Sequence, residues 1–459
     1  MKRVVFSVVA ILCWVVAGAA DDNVSLTIYN GNFGLVKQIR TIEFQKGAGR
    51  VEFDDVAARI DATSVHIKPG AANVAILEQN YRYDLVSTQK IMQKYLGQEI
   101  SIVTKGGDLH RGELLSFDGK YAILRNSSGE ITVTNADEIV DYRYGSLPEG
   151  LILKPTLVWL TDSDKKQKSD CEVSYLTDGL NWHAEYVAVV DQDDKNLDLS
   201  GWVSIDNQSG ATYKDASLKL VAGDVHRVKE KGGMPTMEVE RLAFKAGAAA
   251  PQFTEEAFFE YHLYSLTRRA TVADNETKQL SLFPETRTSA TKVLTVESGY
   301  GYYGWQGRDA EPTVKVNLEF TNSKERGLGM PLPKGKLRVY KADSDGALQF
   351  VGEDLIDHTP KDEKVRVYLG EAFDIKASRK KTDVVDLGDY HKRETYEIEL
   401  RNHKDEDVVV VVVEPMPGWW EWRITRSSVE YEKVSAYKVE FPVSVKANGE
   451  STLTYTIEY

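Results

Sequence analysis

The closing stretch "KVEFPVSVKANGESTLTYTIEY", residues 438–459, decides the fold class. Val439, Phe441, Val443 and Val445 fall on every second position, and Leu453, Tyr455 and Ile457 do so again after a gap. A period of two places side chains alternately on the two sides of an extended chain, so each run reads as a strand with one buried face. Asn448-Gly449 lies between them, and this pair suits a tight turn because glycine accepts positive φ. The stretch is expected to be a hairpin whose two apolar rows share one side.

The same pattern recurs upstream. In "YEIELRN" (396–402) Tyr396, Ile398 and Leu400 point one way and Glu397, Glu399 and Arg401 the other. "VVVVVV" (408–413) lacks alternation and is expected to be a central strand buried on both faces. One segment reads differently. "DLVSTQKIMQKYLG" (84–97) places Leu85, Ile91, Met92 and Leu96 where they can share a helical face, with Gly97 to end it. The expected fold is mainly β: an antiparallel β-sandwich main body, an N-terminal β unit, a small inserted β-barrel and one short helix.

The chain opens "MKRVVFSVVAILCWVVAGAA", with Lys2 and Arg3, an apolar run from Val4 to Val16, and small residues at 17–20. This is the form of a secretory signal, so residues 1–20 are expected to be removed on export. No later run is long enough for an integral membrane span. The formal net charge of −13 becomes −15 once Lys2 and Arg3 are gone. That argues against nucleic acid and anionic lipid as partners, which basic surfaces attract. Cys171 would be the sole remaining cysteine, so no intramolecular disulfide is expected in the exported chain.

The organisation expected from these signals is residues 21–83 as an N-terminal β domain and 84–97 as a helical linker. Residues 98–148 form a small barrel and 149–459 the main body. Within the main body, 226–256 contains Gly232-Gly233, Pro235 and an alanine-rich tract before Pro251, and is expected to be a flexible loop.

Candidate chemistry is sparse. "GEDLIDHTPKDE" (352–363) gathers Asp354, Asp357 and His358, the weak candidates for a metal site or an acid/base pair. On a strand, residues three apart face opposite sides, and Pro360 belongs in a connection. The segment therefore reads first as a polar turn between two strands. "DSDG" (343–346) lacks the further acids of a calcium loop and fits a turn. No zinc, serine-hydrolase or P-loop pattern occurs, and no cofactor is implied. Two aromatic clusters are candidate binding residues: Tyr300, Tyr302, Tyr303 and Trp305 in "GYGYYGWQGRD", and Trp419, Trp420 and Trp422 in "PGWWEW". Flat rings on glycine-rich loops can stack on sugars or fill a partner's pocket. Burial in a sheet core is the competing use.

"YLTDGLNWHAEYVAVVDQDDKNLDLSGWVSIDNQSGATYKDASLKLVAGDV" (175–225), "FEYHLYSL" (259–266), "GLGMPLPKGKLRVYKADSDGALQFVGEDLIDHTPKDE" (327–363) and "RNHKDEDVVVVVVE" (401–414) together resemble a bacterial family. It is the domain of unknown function at the C-terminus of mucoidy-inhibitor-A-like exported proteins. "LTIYNGNFGLVKQIRTIEF" (26–44) is similar to the N-terminal β domain that accompanies it. "GGDLHRGELLSFD" (106–118) followed by "YAILRN" (121–126) resembles an Sm- or SH3-like small barrel. Ala122 stands where RNA-binding relatives of that barrel place an asparagine, and Arg143-Tyr144-Gly145 replaces their closing Arg-Gly pair, which implies a structural or protein-contact role. The resemblance implies location in the periplasm or at the surface of a bacterium, and no established reaction.

These readings give the expectation of an exported, non-catalytic binding or scaffold protein that contacts another envelope protein or a polysaccharide. Two alternatives stay open. One is a metal-dependent or carboxylate-based hydrolase using the 354–363 segment. The other is a structural subunit that self-assembles through strand edges. The oligomeric state is not readable from the residues.

Overall fold

The computed structural model describes residues 23–227, 252–297, 311–388, 391–417 and 421–459. Strands dominate them, and Thr88–Lys94 is the α-helix. None of the described helices is long and apolar enough to cross a membrane.

The opening segment does not form a unit of its own. Phe33–Phe44 lies antiparallel to Asn23–Tyr29 on one side and to Gln167–Asp178 on the other. Asn23–Tyr29 in turn runs parallel to Tyr213–Ala222. Leu26, Ile28, Val36 and Phe44 share one core with Tyr175, Trp182 and Leu218. Alternation over 26–44 marks which face is buried but not against what, so the expected division between residues 21–83 and the main body is not a division in space. A three-stranded sheet of Gly47–Asp54, Thr156–Ser163 and Val74–Arg82 contributes Phe53 and the fully buried Trp159 to the same core.

Residues 98–148 hold a five-stranded antiparallel sheet. Its order is Ile139–Arg143, Glu99–Thr104, Leu109–Phe117, Tyr121–Arg125, Ile131–Asn135. Its core of Ile100, Ile102, Leu114 and Leu124 takes in Met92 from the helix. The helix is shorter than expected. The Ser87 hydroxyl caps it by accepting from Lys90 N–H, and Gly97 lies beyond its end at φ 76°. Leu85 instead bridges Ile152 and Leu96 bridges Leu114, because chain pairing at both ends competes with helical turns too short to hold themselves.

The main body contains two cores, joined by two long strands. Glu276–Glu297 pairs with Asn196–Asn207 through residues 276–289, then with Thr313–Thr321 through 290–296. Lys364–Gly388 pairs with Thr313–Thr321 and then with His391–Asn402. Leu280, Val365 and Val367 lie in the first core, and Leu294, Val296, Ile375 and Ala377 in the second. Not all pairing is antiparallel: Leu180–Val190 runs parallel to Gly335–Ala342, and Glu276–Glu297 parallel to Val408–Pro415.

The final stretch corrects the hairpin expectation. Lys438–Val445 pairs with Val408–Pro415 and Glu432–Ser435. Glu450–Glu458 pairs with His391–Asn402 and Arg423–Ser427. The chain crosses from one layer to the other at Asn448, whose φ is 48°. The two apolar rows therefore face each other across the second core, with the Phe441 and Tyr455 rings stacked 5.1 Å apart. A hairpin and a crossing require the same alternation, so the residues alone do not separate them. The valine run is central, with a neighbour on each side. It is not buried on both faces, since Val409 is 53% exposed. The expected loop 226–256 gives way to strand at Phe253–Phe258, which pairs with Tyr261–Leu266; residues 228–251 lie outside those described. Cys171 is buried and free, and burial pushes its thiol pKa up, which removes thiolate reactivity.

One end of the second core is ionic. Arg379 and Glu414 are 8% and 0% exposed. Arg379 Nε and Nη2 donate to the Glu414 carboxylate at 2.8–3.1 Å, and Tyr455 donates its hydroxyl to Glu414 Oε2 at 2.7 Å. Beside them, Lys381 Nζ and the Tyr396 hydroxyl both donate to Glu394. Burial first, then the Glu394 carboxylate, keeps Tyr396 protonated. Removing one member of a buried pair strands the other charge, at a cost of about 3–5 kcal/mol. Arg379→Met is expected to lose that much in urea denaturation, while Arg379→Met with Glu414→Leu recovers most of it. Equal losses in the single and double variants would contradict a coupled pair.

Candidate functional site

Asp354, Asp357 and His358 are placed near one another in the chain, but the Asp354 and His358 side chains accept from different backbone N–H groups and Asp357 bonds through its main-chain carbonyl. Asp354 sits on the strand Leu348–Ile356. Its carboxylate accepts from Leu355 N–H at 2.8 Å and from Tyr368 N–H at 2.9 Å. The second bond crosses a seam, since Leu348–Ile356 stands at one end of the sheet path and Tyr368 belongs to Lys364–Gly388 further along it. Gly352 lets the two strands meet: a Cβ there would lie 2.6 Å from the Leu369 carbonyl oxygen. Asp354 is thus a pin between strands that no backbone ladder joins. Asp357 is exposed in the connection that follows, and its carbonyl accepts from the Thr359 hydroxyl.

His358 is half-buried. Its Nδ1 accepts from Lys334 N–H at 3.2 Å, which puts the proton of the neutral ring on Nε2. That atom is buried and has no partner among the described residues. Burial, then the Lys334 ammonium, holds the ring's pKa below its ordinary 6.5, against the opposite pull of Asp224 and Asp357. Among the described residues no group of three or more His, Cys, Asp or Glu side chains is placed to hold a metal ion. In "DSDG" the Asp343 carboxylate accepts from Asp345 N–H, Ala347 N–H and Gln349 Nε2, so it organises a turn.

Of the aromatic candidates, Trp422 is described and half-buried. Its Nε1 donates to the Ala436 carbonyl at 2.7 Å, and the Lys433 ammonium lies 4.3 Å from its ring centre. Its polar edge and one face are therefore engaged within the chain. Tyr300, Tyr302, Tyr303, Trp305, Trp419 and Trp420 lie outside the described residues.

The structure brings forward a different group. Of the two strands that meet at the seam, Leu348, Phe350, Val351 and Leu355 on one and Tyr368 and Phe373 on the other are all exposed. Phe373 is 85%, Leu355 73% and Phe350 57% exposed. A bulge explains the outward turn of the first strand. Phe350 stands opposite Tyr340, but Gly352 stands opposite Val339, and Val351 is the extra residue. Val339 points into the core, so Gly352, Asp354 and Ile356 share its side and Leu348, Phe350 and Leu355 take the other. Phe350 packs edge-on against Tyr340 at 5.8 Å. Arg338 lies beside them, bonded to Glu353 at 3.1 Å and 3.8 Å from Glu185. An apolar and aromatic centre with arginine and a charged rim is the anatomy of a protein-binding surface. The sequence signal was available: "LQFVG" has three apolar residues in four positions, which strict alternation does not allow.

Two measurements check this geometry. Asp354→Ala leaves two backbone N–H groups without their carboxylate and is expected to cost about 1 kcal/mol, with chelator shifting the melting temperature of neither protein; a chelator-dependent shift in wild type would contradict the pin. For His358, the unfolded ring takes up protons below 6.5 where the folded ring does not, so its contribution to stability is present above 6.5 and lost on acidification. Melting temperature followed downward from neutral pH is expected to fall less steeply in His358→Gln than in wild type.

No curated protein matches the chain. The seam, the exposed strip and the ionic core all fall within residues 171–459, which match the family described as Domain of unknown function (DUF4139), and the chain belongs to that family.

Proposed function

We propose that this chain is an exported bacterial envelope protein that acts by binding another envelope protein, with the seam strip as the contact. The strip carries the reading. Three large apolar side chains more than half exposed within two adjacent strands lose free energy to water that a partner would recover, about 1.5–3 kcal/mol for each one fully covered.

The remaining features support the same picture. Residues 1–20 have the form of an export signal, and the acidic balance gives solubility without attracting nucleic acid. The likeness to mucoidy-inhibitor-A-like proteins supports the periplasm or cell surface as the location. The strand order of the inserted module supports its likeness to Sm and SH3 barrels, in a protein-contact role. A polysaccharide ligand rests on the tyrosine and tryptophan loops. Of their residues, the described Trp422 is engaged with Ala436 and Lys433, so a protein partner is the favoured reading. The hydrolase alternative needs Asp354, Asp357 and His358 to act on one point, whereas the Asp354 carboxylate is held by Tyr368 N–H and the His358 ring by Lys334 N–H.

Photo-crosslinking in intact envelopes tests the proposal. A photoreactive residue at position 373 is expected to give one dominant protein adduct, and the same residue at the exposed Tyr83, on another part of the surface, is not. Phe350→Ser with Leu355→Ser is expected to weaken capture of that partner more than tenfold, as central aromatic and aliphatic anchors do, with an unchanged circular-dichroism spectrum. Equal capture by the double variant would contradict the assignment.

A further inference from the structure

The strand Ile131–Asn135, "ITVTN", ends the five-stranded sheet and pairs only with Tyr121–Arg125 among the described residues. Edge strands are normally guarded by charge, proline or a bulge. At other edges, His66–Pro69 has Lys68 and Pro69, and Phe253–Phe258 has Glu255 and Glu256. At the opposite end of the same sheet, Ile139–Arg143 has Asp141, Arg143 and a register shift. "ITVTN" has none of these devices. Every residue before Asn135 is β-branched, and Ile131 and Val133 are each 59% exposed.

The ladder shows which main-chain groups are free. Asn126 N–H donates to the Glu130 carbonyl at 3.0 Å and Ala136 N–H to the Lys120 carbonyl at 2.7 Å. Hydrogen-bonded pairs alternate along an antiparallel ladder, so Glu130, Thr132, Thr134 and Ala136 point their main-chain groups inward. Ile131 and Val133 point theirs outward, as does the N–H of Asn135, whose carbonyl caps the turn Ala136–Glu138. That is an odd number of outward residues, centred on Val133.

We propose that a second copy of this chain pairs with the first along Ile131–Asn135, antiparallel, about a twofold axis through Val133. In that register Val133 meets Val133, and Ile131 meets Asn135 in both directions. The Val133 pair exchanges two hydrogen bonds, and in each outer pair Asn135 N–H donates to the Ile131 carbonyl of the other copy, while the Asn135 carbonyl stays with the turn Ala136–Glu138 that it caps. The opposite edge of the sheet offers no equal match, because its register shift breaks the spacing of its outward groups. Two copies of a chain of net charge −13 repel each other, and the uncharged strand is where that repulsion is least. The ends of the pairing add attraction. Ala136, bonded to Lys120, would stand opposite Glu130 of the second copy, which places lysine and glutamate two strand spacings apart, about 10 Å, within their combined reach. Symmetry makes that contact twice. Five residues per copy bury far less than the about 1,600 Å² of a standard interface, so the dimer belongs in the micromolar range.

Sedimentation of the mature chain across the micromolar range tests the inference. The expected result is a monomer–dimer equilibrium. Val133→Lys sets two like charges opposite each other and raises the dissociation constant at least tenfold, and Val133→Glu does the same. An equimolar mixture of the two variants recovers the dimer. Val140→Lys, on the guarded edge, leaves the equilibrium unchanged. Val133 is exposed, so these variants fold, which circular dichroism confirms. A monomer at all concentrations, a dimer that survives Val133→Lys, or a mixture that stays monomeric would each overturn the proposal.

Discussion

The second core is organised around one ring. Tyr455 stacks on Tyr396 at 5.3 Å and on Phe441 at 5.1 Å, and its hydroxyl donates to Glu414, which holds Arg379. The Arg379 guanidinium lies 4.1 Å from the centre of the Tyr396 ring. Five strands from two layers meet in this column. Tyr455 comes from the last strand and Phe441 from the strand before it, so the column also fixes the crossing at Asn448. A buried tyrosine must satisfy its hydroxyl, and a buried carboxylate must be paired. Each demand here is met by the other, which specifies one arrangement of the layers where apolar packing alone would admit several.

That constraint reaches the exposed strip through the two long strands. Ile375, Ala377 and Arg379 anchor one half of Lys364–Gly388 in the second core, and Val365 and Val367 anchor the other half in the first. Phe373 lies on the span between the anchored halves and faces solvent. On the neighbouring strand the bulge at Val351 turns Leu348, Phe350 and Leu355 to solvent, and Gly352 and Asp354 close the seam without a ladder. The exposed apolar side chains are thus a consequence of how the strands are joined. A preformed surface loses little side-chain and backbone freedom on binding, which favours affinity.

Much of the architecture was legible in period-two alternation. Val439, Phe441, Val443, Leu453, Tyr455 and Ile457 were assigned the right faces, and all are buried. Their partners were not legible, because a hairpin and a layer crossing need the same pattern. The N-terminal strands were recognised as strands, but their union with Gln167–Asp178 and Tyr213–Ala222 depends on contacts more than a hundred residues apart. At the candidate site, the turn character of "IDHTP" followed from Pro360 and the polar residues around it. The strip is not legible there because one inserted residue, Val351, reverses which side of "LQFVGED" is buried. Alternation assigns faces only while the register holds.

The main body buries the rings of its second core and leaves Phe350, Leu355 and Phe373 in water. Hydroxyl-radical footprinting of the mature protein measures that division directly. Rapid oxidation is expected at Phe350, Leu355 and Phe373 and near silence at Tyr396, Phe441 and Tyr455. Protection of the first three in the isolated chain, or ready oxidation of the last three, would contradict it.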